Sequence, residues 1–384
     1  MRVLFTGGGT GGHLYPALAV ADLLRELEPG CEIIFVGTGE GLEGKVVPGA
    51  GYPFRRIAAG KWPRNISFKA ICDLTSLGKG YLQGLSLLKE VRPQAVFATG
   101  GYVSVPLGLA AASLKVPLFL HEQNSVPGMA NKLLSRWAEV TFTTFLPEKG
   151  SFPLRAKLVH SGLPIRSKIF KADPLKSYKY FGLDPDTFTV LVTGGSRGAR
   201  CINQVMLEVY QEICHGSAAL PKLQVIHLTG VTEHRQFCQD MEHMGINTDD
   251  IGKLVIKPYL EEMEYALKVA DLVISRAGAA TLAEVTALGI PAILIPYPFA
   301  TADHQYHNAR YLERHGAAIL IPEKELTPVK LLREIEKLAG DNDLRQKMSG
   351  QSRRIGRPEA GELIAGILRN AGKKSLCTFT DSET

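Results

Sequence analysis

The sequence predicts an α/β protein of two Rossmann-like, doubly wound parallel-sheet domains facing a cleft. Short apolar runs alternate with amphipathic helical stretches along the chain, the pattern of a parallel sheet covered on both faces. A glycine-rich turn between a strand and a helix occurs twice, in Val3-Leu-Phe-Thr-Gly-Gly-Gly-Thr-Gly-Gly-His13 and in Val190-Leu-Val-Thr-Gly-Gly-Ser-Arg-Gly-Ala199. The 384 residues also exceed one ordinary domain.

Strands are predicted in the first half at Val3–Thr6, Glu32–Val36, Ala95–Ala98, Pro117–Leu120, Val140–Phe142 and Leu158–His160. A helix follows the first turn from about Tyr15 to Leu27 and stops before Pro29-Gly30. Second-half strands are predicted at Thr189–Val192, Gln224–Leu228, Leu254–Ile256, Leu272–Ile274, Ala292–Ile295 and Ala318–Leu320. Ser161-Gly-Leu-Pro-Ile-Arg166 interrupts the pattern and places the junction. The expected divisions are 1–163, 164–350, a helix in 351–372 returning to the first domain, and a frayed tail at 373–384.

Composition is that of a globular protein, with a net charge of +6. This mild basicity suits acidic small molecules or an anionic membrane surface, and no nucleic-acid-binding signature accompanies it. The cysteines (Cys31, Cys72, Cys201, Cys214, Cys238, Cys377) include no Cys-x-x-Cys pair, so reduced thiols are expected rather than a zinc knuckle or disulfide framework. No secretory signal is expected, and the apolar stretch Val103–Leu114 is too short to span a bilayer.

Glycine at a strand-to-helix turn lets backbone N–H groups approach an anion, and the helix N-terminus adds about half a positive charge. The first turn fits G-x-G-x-x-G, yet the second strand, Ile33-Ile-Phe-Val-Gly-Thr38, lacks the acid that would hold a dinucleotide ribose. His13 opens a helix where a ring able to titrate near neutrality can take a proton from a hydroxyl, or can instead cap the helix or touch phosphate. His121-Glu-Gln-Asn124 falls at the carboxyl edge of the sheet, where α/β ligand sites lie. In Ser275-Arg-Ala-Gly-Ala-Ala-Thr-Leu-Ala-Glu284, small residues free a helix N-terminus for a diphosphate, and Glu284 suits paired ribose hydroxyls or the helix dipole. Ala302-Asp-His-Gln-Tyr-His-Asn308 sets polar side chains where sugar hydroxyls can be held. Asp184-Pro-Asp186 reads as a surface turn, so no catalytic metal is expected; helix N-termini and an arginine such as Arg166 would hold leaving-group charge.

These motifs together resemble the MurG family of bacterial N-acetylglucosaminyltransferases, over the chain to about Asn370. The resemblance is carried by Thr6–Pro16, Gly100-Gly-Tyr-Val-Ser104, His121–Asn124, Gly194–Ala199 and Gly278–Glu284. It implies the GT-B glycosyltransferase architecture, no cofactor or metal, and inverting transfer of N-acetylglucosamine from UDP-GlcNAc to the C4 hydroxyl of undecaprenyl-pyrophosphoryl-MurNAc-pentapeptide. By motif, Thr10, Gly11 and Gly12 would line the acceptor side, Asn124 would touch the donor sugar, and Arg166 and Ser196 its phosphates. Ala279, Ala280 and Thr281 would present N–H groups to the diphosphate, Glu284 would take the ribose, Leu260 would pack near uracil and Gln305 would hold sugar hydroxyls. His13 is the candidate base, with Glu122 or a water chain as alternatives.

Leu163 and Arg197 depart from the family's usual asparagine and glutamine, while Arg166 and Ser196 are kept. A lipid-linked acceptor further implies peripheral docking on the cytoplasmic face of the bacterial inner membrane, and a cell-wall synthesis or division complex as partner. Lys61–Arg92 supplies a candidate surface, in which Lys61, Arg64, Lys69, Lys79, Lys89 and Arg92 stand among Trp62, Phe68, Leu77, Tyr81 and Leu85. Rival readings are a GT-B enzyme acting on another lipid such as diacylglycerol, a non-catalytic UDP-sugar-binding regulator, and a sugar-nucleotide epimerase.

Overall fold

Seven strands form an all-parallel sheet in the first half of the chain: β1 (Arg2–Thr6), β2 (Glu32–Gly37), β3 (Phe54–Arg56), β4 (Ala95–Ala98), β5 (Leu118–Glu122), β6 (Val140–Thr143) and β7 (Leu158–His160), in the order β3-β2-β1-β4-β5-β6-β7. A computed structural model describes residues 1–9, 11–60, 68–195, 197–216, 220 and 222–380, and their side chains except those of 68–72, 249 and 372–380. The chain divides into two compact units, Met1–Ile165 with Pro358–Thr384, and Arg166–Arg357.

Side chains alternate across a strand, and a parallel sheet covered on both faces buries both sets. In the first unit Val3 and Phe5 point to one face and Leu4 to the other, and all three are fully buried. Phe5 stacks on Phe35 with ring centroids 5.2 Å apart and meets Phe97 at 5.3 Å. The helix Gly11–Leu27 buries Leu14, Ala17, Ala21 and Leu24 on that face. The final helix, Ala360–Thr380, packs there too and adds Ile364, Ala365 and Leu368. Residues 351–355, expected to travel with that helix, instead finish Asn342–Ile355 in the second unit.

The second unit carries six parallel strands: β8 (Phe188–Thr193), β9 (Leu223–Leu228), β10 (Gly252–Lys257), β11 (Leu272–Ser275), β12 (Ala292–Leu294) and β13 (Ala318–Leu320), in the order β10-β9-β8-β11-β12-β13. Its core holds a buried polar chain. His227 lies 3.0 Å from Tyr210 Oη and 3.1 Å from Asn203 Oδ1, and the Asn203 amide donates to Thr229 O at 2.9 Å. Burial pushes the His227 pKa down to about 3.

Both sheets reverse strand order beside their first strand, between β1 and β4 and between β8 and β11. Ligands of open α/β sheets bind at such switch points, beyond the carboxyl ends of the strands. Each glycine-rich turn leaves one of these points.

Candidate active site

In the first unit the turn after β1 is built around close backbone approach. A Cβ on Gly7 would overlap Thr99 Oγ1, and one on Gly101 would come within 2.7 Å of Gly8 O. Gly9 and Gly101 have φ of 84° and 79°, a region glycine enters at no steric cost. Beneath the turn lies Glu43, only 1% exposed, whose carboxylate accepts from Gly9 N at 3.3 Å and Thr38 Oγ1 at 3.0 Å. Glu43 opens the short helix Glu43–Gly49, and the glycines around it, Gly41 and Gly44, are the sign of a tight site that the sequence offers.

Helix Gly11–Leu27 starts earlier than expected, with Gly11 half-buried, Gly12 exposed and His13 half-buried. Thr10 lies outside the described residues. His13 Nδ1 is 2.9 Å from both Thr99 O, just past β4, and Gln123 Oε1, just past β5. The structure thus brings His13 and the His121–Asn124 motif together.

Glu122 is 2% exposed, and its carboxylate accepts from Asn124 N at 3.0 Å, Gly128 N at 3.0 Å and Asn131 Nδ2 at 2.8 Å. A carboxylate so engaged shapes the loop that carries half-buried Asn124. That role argues against Glu122 as a base.

In the second unit, Gly195 and Gly198 take φ of 86° and 79° in the turn after β8. A Cβ on Gly198 would overlap Thr229 O, so glycine is required for that turn to pass the loop after β9. Ser196 lies outside the described residues, and Arg197 is exposed. Helix Ala279–Leu288 begins at Gly278 without a side-chain cap, which leaves its first N–H groups for an anion. Ala279, Ala280 and Thr281 supply them.

Glu284 sits one turn further along, its side chain 15% exposed, with Oε1 3.8 Å from Arg166 Nη2. Burial raises its pKa to about 7, against the opposing pull of Arg166. Arg166, expected at phosphates, is half exposed here and faces the expected ribose carboxylate. Leu260 is 5% exposed and belongs largely to the core, while its neighbour Tyr259 is 50% exposed.

Gln305 Oε1 accepts from Tyr297 N at 3.0 Å, tying helix His304–Arg314 to the loop after β12. That loop contains Ala302 and Asp303 at φ of 53° and 51°, a region costly for side-chain-bearing residues. Arg276 braces it from below: it donates to Ile295 O at 3.2 Å and Pro296 O at 3.1 Å, and pairs with Glu323 at 2.5 Å. In the sequence Arg276 stands only as an arginine among small residues directly after a strand, and its brace becomes visible in the fold.

Asp184 accepts from Asp186 N at 3.2 Å and Thr187 Oγ1 at 2.8 Å, bonds that hold its pKa low and form the turn the proline suggested. Among the described residues no group of three or more His, Cys, Asp or Glu is placed to hold a metal ion. None of the described helices is long and apolar enough to cross a membrane.

The basic segment differs from expectation in which apolar residues it shows. In helix Phe68–Val91, Tyr81 and Leu85 pack against the core, whereas Leu74 and Leu82 are 59% and 65% exposed. Lys79 and Lys89 are exposed, and Lys61, Trp62 and Arg64 lie outside the described residues, as do the side chains of Phe68 and Lys69.

The chain matches the glycosyltransferase family 28 N-terminal domain over residues 3–143 and the family 28 C-terminal domain over residues 189–363. It is 43% identical to a UDP-N-acetylglucosamine–N-acetylmuramyl-(pentapeptide) pyrophosphoryl-undecaprenol N-acetylglucosamine transferase of Halothermothrix orenii, over 98% of this chain and 100% of that one. A protein of the same name from Desulforamulus reducens is 42% identical over 94% of this chain and 96% of its own length. Among solved structures, Acinetobacter baumannii MurG superposes with a TM-score of 0.76 at 28% identity, covering 96% of this chain and 99% of that one. The chain belongs to glycosyltransferase family 28, in the MurG group, with relatives about 40% identical to it over nearly its full length.

Proposed function

We propose that the protein moves N-acetylglucosamine from UDP-GlcNAc to the C4 hydroxyl of the muramoyl sugar in undecaprenyl-pyrophosphoryl-MurNAc-pentapeptide, converting lipid I to lipid II with inversion at the anomeric carbon. The observation that carries this reading is the 43% identity, over nearly the full length of both chains, with a relative named for that donor and acceptor. In a single displacement the acceptor oxygen attacks the anomeric carbon as its proton passes to His13 Nε2. The bond to UDP breaks with its electron pair, and the departing diphosphate finds the uncapped N–H groups of Ala279–Thr281. Glu284 accepts from the ribose hydroxyls, while Asn124 and Gln305 hold sugar hydroxyls. Arg166 and Ser196 serve the diphosphate, Leu260 backs the uracil, and Thr10, Gly11 and Gly12 line the acceptor side.

The decisive assay is transfer of labelled N-acetylglucosamine to a short-chain analogue of the lipid acceptor in EDTA. A β-1,4-linked product is expected. No product despite measurable UDP-GlcNAc binding overturns the acceptor assignment and turns attention to other lipid acceptors or to a regulator.

The acceptor's lipid calls for docking at an anionic surface on the cytoplasmic side of the inner membrane, alongside a cell-wall synthesis or division complex. Leu74, Lys79, Leu82 and Lys89 form the exposed face proposed for it. Each cation near such a surface contributes about 1 kcal/mol. Lys79→Glu combined with Lys89→Glu is therefore expected to weaken binding to anionic vesicles by at least about tenfold, read by co-sedimentation; unchanged binding rejects the surface.

A further inference from the structure

Behind His13 the polarity of the hydrogen bonds is fixed by atoms that only accept. The Gln123 amide nitrogen donates to Thr99 O at 2.8 Å and to His121 O at 3.0 Å. Both are carbonyl oxygens, so turning the amide over would set oxygen against oxygen. The amide oxygen therefore faces His13 Nδ1 at 2.9 Å, and Thr99 O stands at the same distance from that nitrogen. Two acceptors on Nδ1 require a proton there. The neutral ring is then the Nδ1–H tautomer, with the lone pair on Nε2.

The chain continues inward with the same direction. His121, fully buried, donates from Nε2 to Gly162 O at 2.9 Å, which leaves its Nδ1 as an acceptor 3.2 Å from the Gln123 amide nitrogen, where it shares with His121 O the one amide proton not given to Thr99 O. Burial lowers the His121 pKa to about 4, so it stays neutral and keeps that acceptor. Protons are donated from His13 to Gln123, from Gln123 to His121, and from His121 to Gly162.

We propose that Gln123 is a positioning residue for the transfer: it holds His13 as the Nδ1–H tautomer, aims Nε2 at the acceptor hydroxyl, and accepts the strengthened Nδ1–H bond once the ring is protonated. The proposal rests on the reading of His13 as base. In a serine-protease triad a carboxylate fixes the histidine tautomer; here a neutral amide, itself fixed by backbone carbonyls and a buried imidazole, does so without adding a negative charge. When the acceptor proton reaches Nε2, the ring becomes an imidazolium and its Nδ1–H bonds to Gln123 and Thr99 become charge-assisted. Among the described residues, the titratable groups around this chain are His121 behind the amide, Glu43 and Tyr102 at the glycine turn, and Glu122, whose carboxylate is turned into its own loop.

The test uses the full-length enzyme. Nitrogen-detected NMR of the parent's histidine rings is expected to give His13 the Nδ1–H signature. Gln123→Glu sets a carboxylate against that proton and should move the acid limb of the kcat–pH profile upward by about one unit. Gln123→Leu should lower kcat about tenfold or more with KM for UDP-GlcNAc held within about twofold, and should let the Nε2–H tautomer appear. An Nε2–H ring in the parent overturns the proposal, as does an unmoved acid limb in Gln123→Glu. The parent spectrum needs no variant, so a Gln123→Leu protein that fails to fold leaves the test intact. Near-normal turnover in His13→Ala overturns the base reading instead, and the parent tautomer then decides separately whether the Gln123 clamp exists.

Discussion

His13→Ala is expected to lower kcat by about 10²- to 10⁴-fold, the usual worth of a positioned general base. The dissociation constant of UDP-GlcNAc should stay within about twofold, because the residues proposed to bind the nucleotide lie elsewhere in the sequence and a general base acts on the acceptor's proton. Isothermal titration for the donor and rapid-quench turnover for the chemistry separate the two. Equal losses in binding and turnover would make His13 a ligand-binding residue, and near-normal turnover would remove it from the mechanism. Glu122 offers a contrast. Its carboxylate satisfies three donors in a site 2% exposed. Glu122→Ala should therefore show itself as lost stability, since each buried donor left without a partner costs about 1–3 kcal/mol.

Glu284 sets the second expected result. UDP-GlcNAc affinity should rise about tenfold as pH climbs from about one unit below 7 to about one unit above it, and Glu284→Gln should abolish this dependence. The sign follows from chemistry. Burial pushes the Glu284 pKa up to about 7, so in the free enzyme the carboxylate is lost as pH falls through neutrality. Only the carboxylate accepts from two ribose hydroxyls without offering a proton of its own. Binding therefore draws the residue toward the charged form, and below its pKa the ligand must first displace a proton. UDP-GlcNAc is the right probe because its diphosphate is esterified at both ends and keeps its charge through this range. At high pH the glutamine variant should bind about 10- to 100-fold more weakly, the cost of losing charge-assisted bonds. A pH-independent parent affinity would separate Glu284 from the ribose.

Much of this architecture was legible in the sequence, because a parallel sheet buried on both faces writes each strand as a continuous apolar run. Val3–Thr6, Ala95–Ala98 and Leu272–Ile274 read that way and are strands. Strand β3 did not, since at the sheet edge Phe54 is only half-buried and Arg55 and Arg56 face outward. Helical spacing suggested an apolar face for the basic segment but could not say which side the core would claim; Tyr81 and Leu85 went inward and Leu74 and Leu82 stayed out. The two glycine turns were legible because local spacing carries them, and the same spacing set Glu284 one turn into the helix Ala279–Leu288. Gln123 stood in a recognised motif, yet its partner His13 is 110 residues away, and that pairing exists only once β1, β4 and β5 are aligned. Arg276 escaped for the same reason, its brace to Glu323 depending on how β11, β12 and the segment after β13 are arranged.

The last helix bears on the order in which the protein can be made. Ile364, Ala365 and Leu368 fill the same apolar layer as Leu14, Ala17, Val20 and Leu24, although the whole of Arg166–Arg357 is translated between them. Domains emerging from a ribosome generally fold in order from the N-terminus. Until Ala360 onward has been synthesised, the part of the Gly11–Leu27 apolar face that this helix covers has nothing to pack against it. A chain stalled just before Ala360 would hold all of Arg166–Arg357 yet lack the helix that completes the first unit's apolar layer.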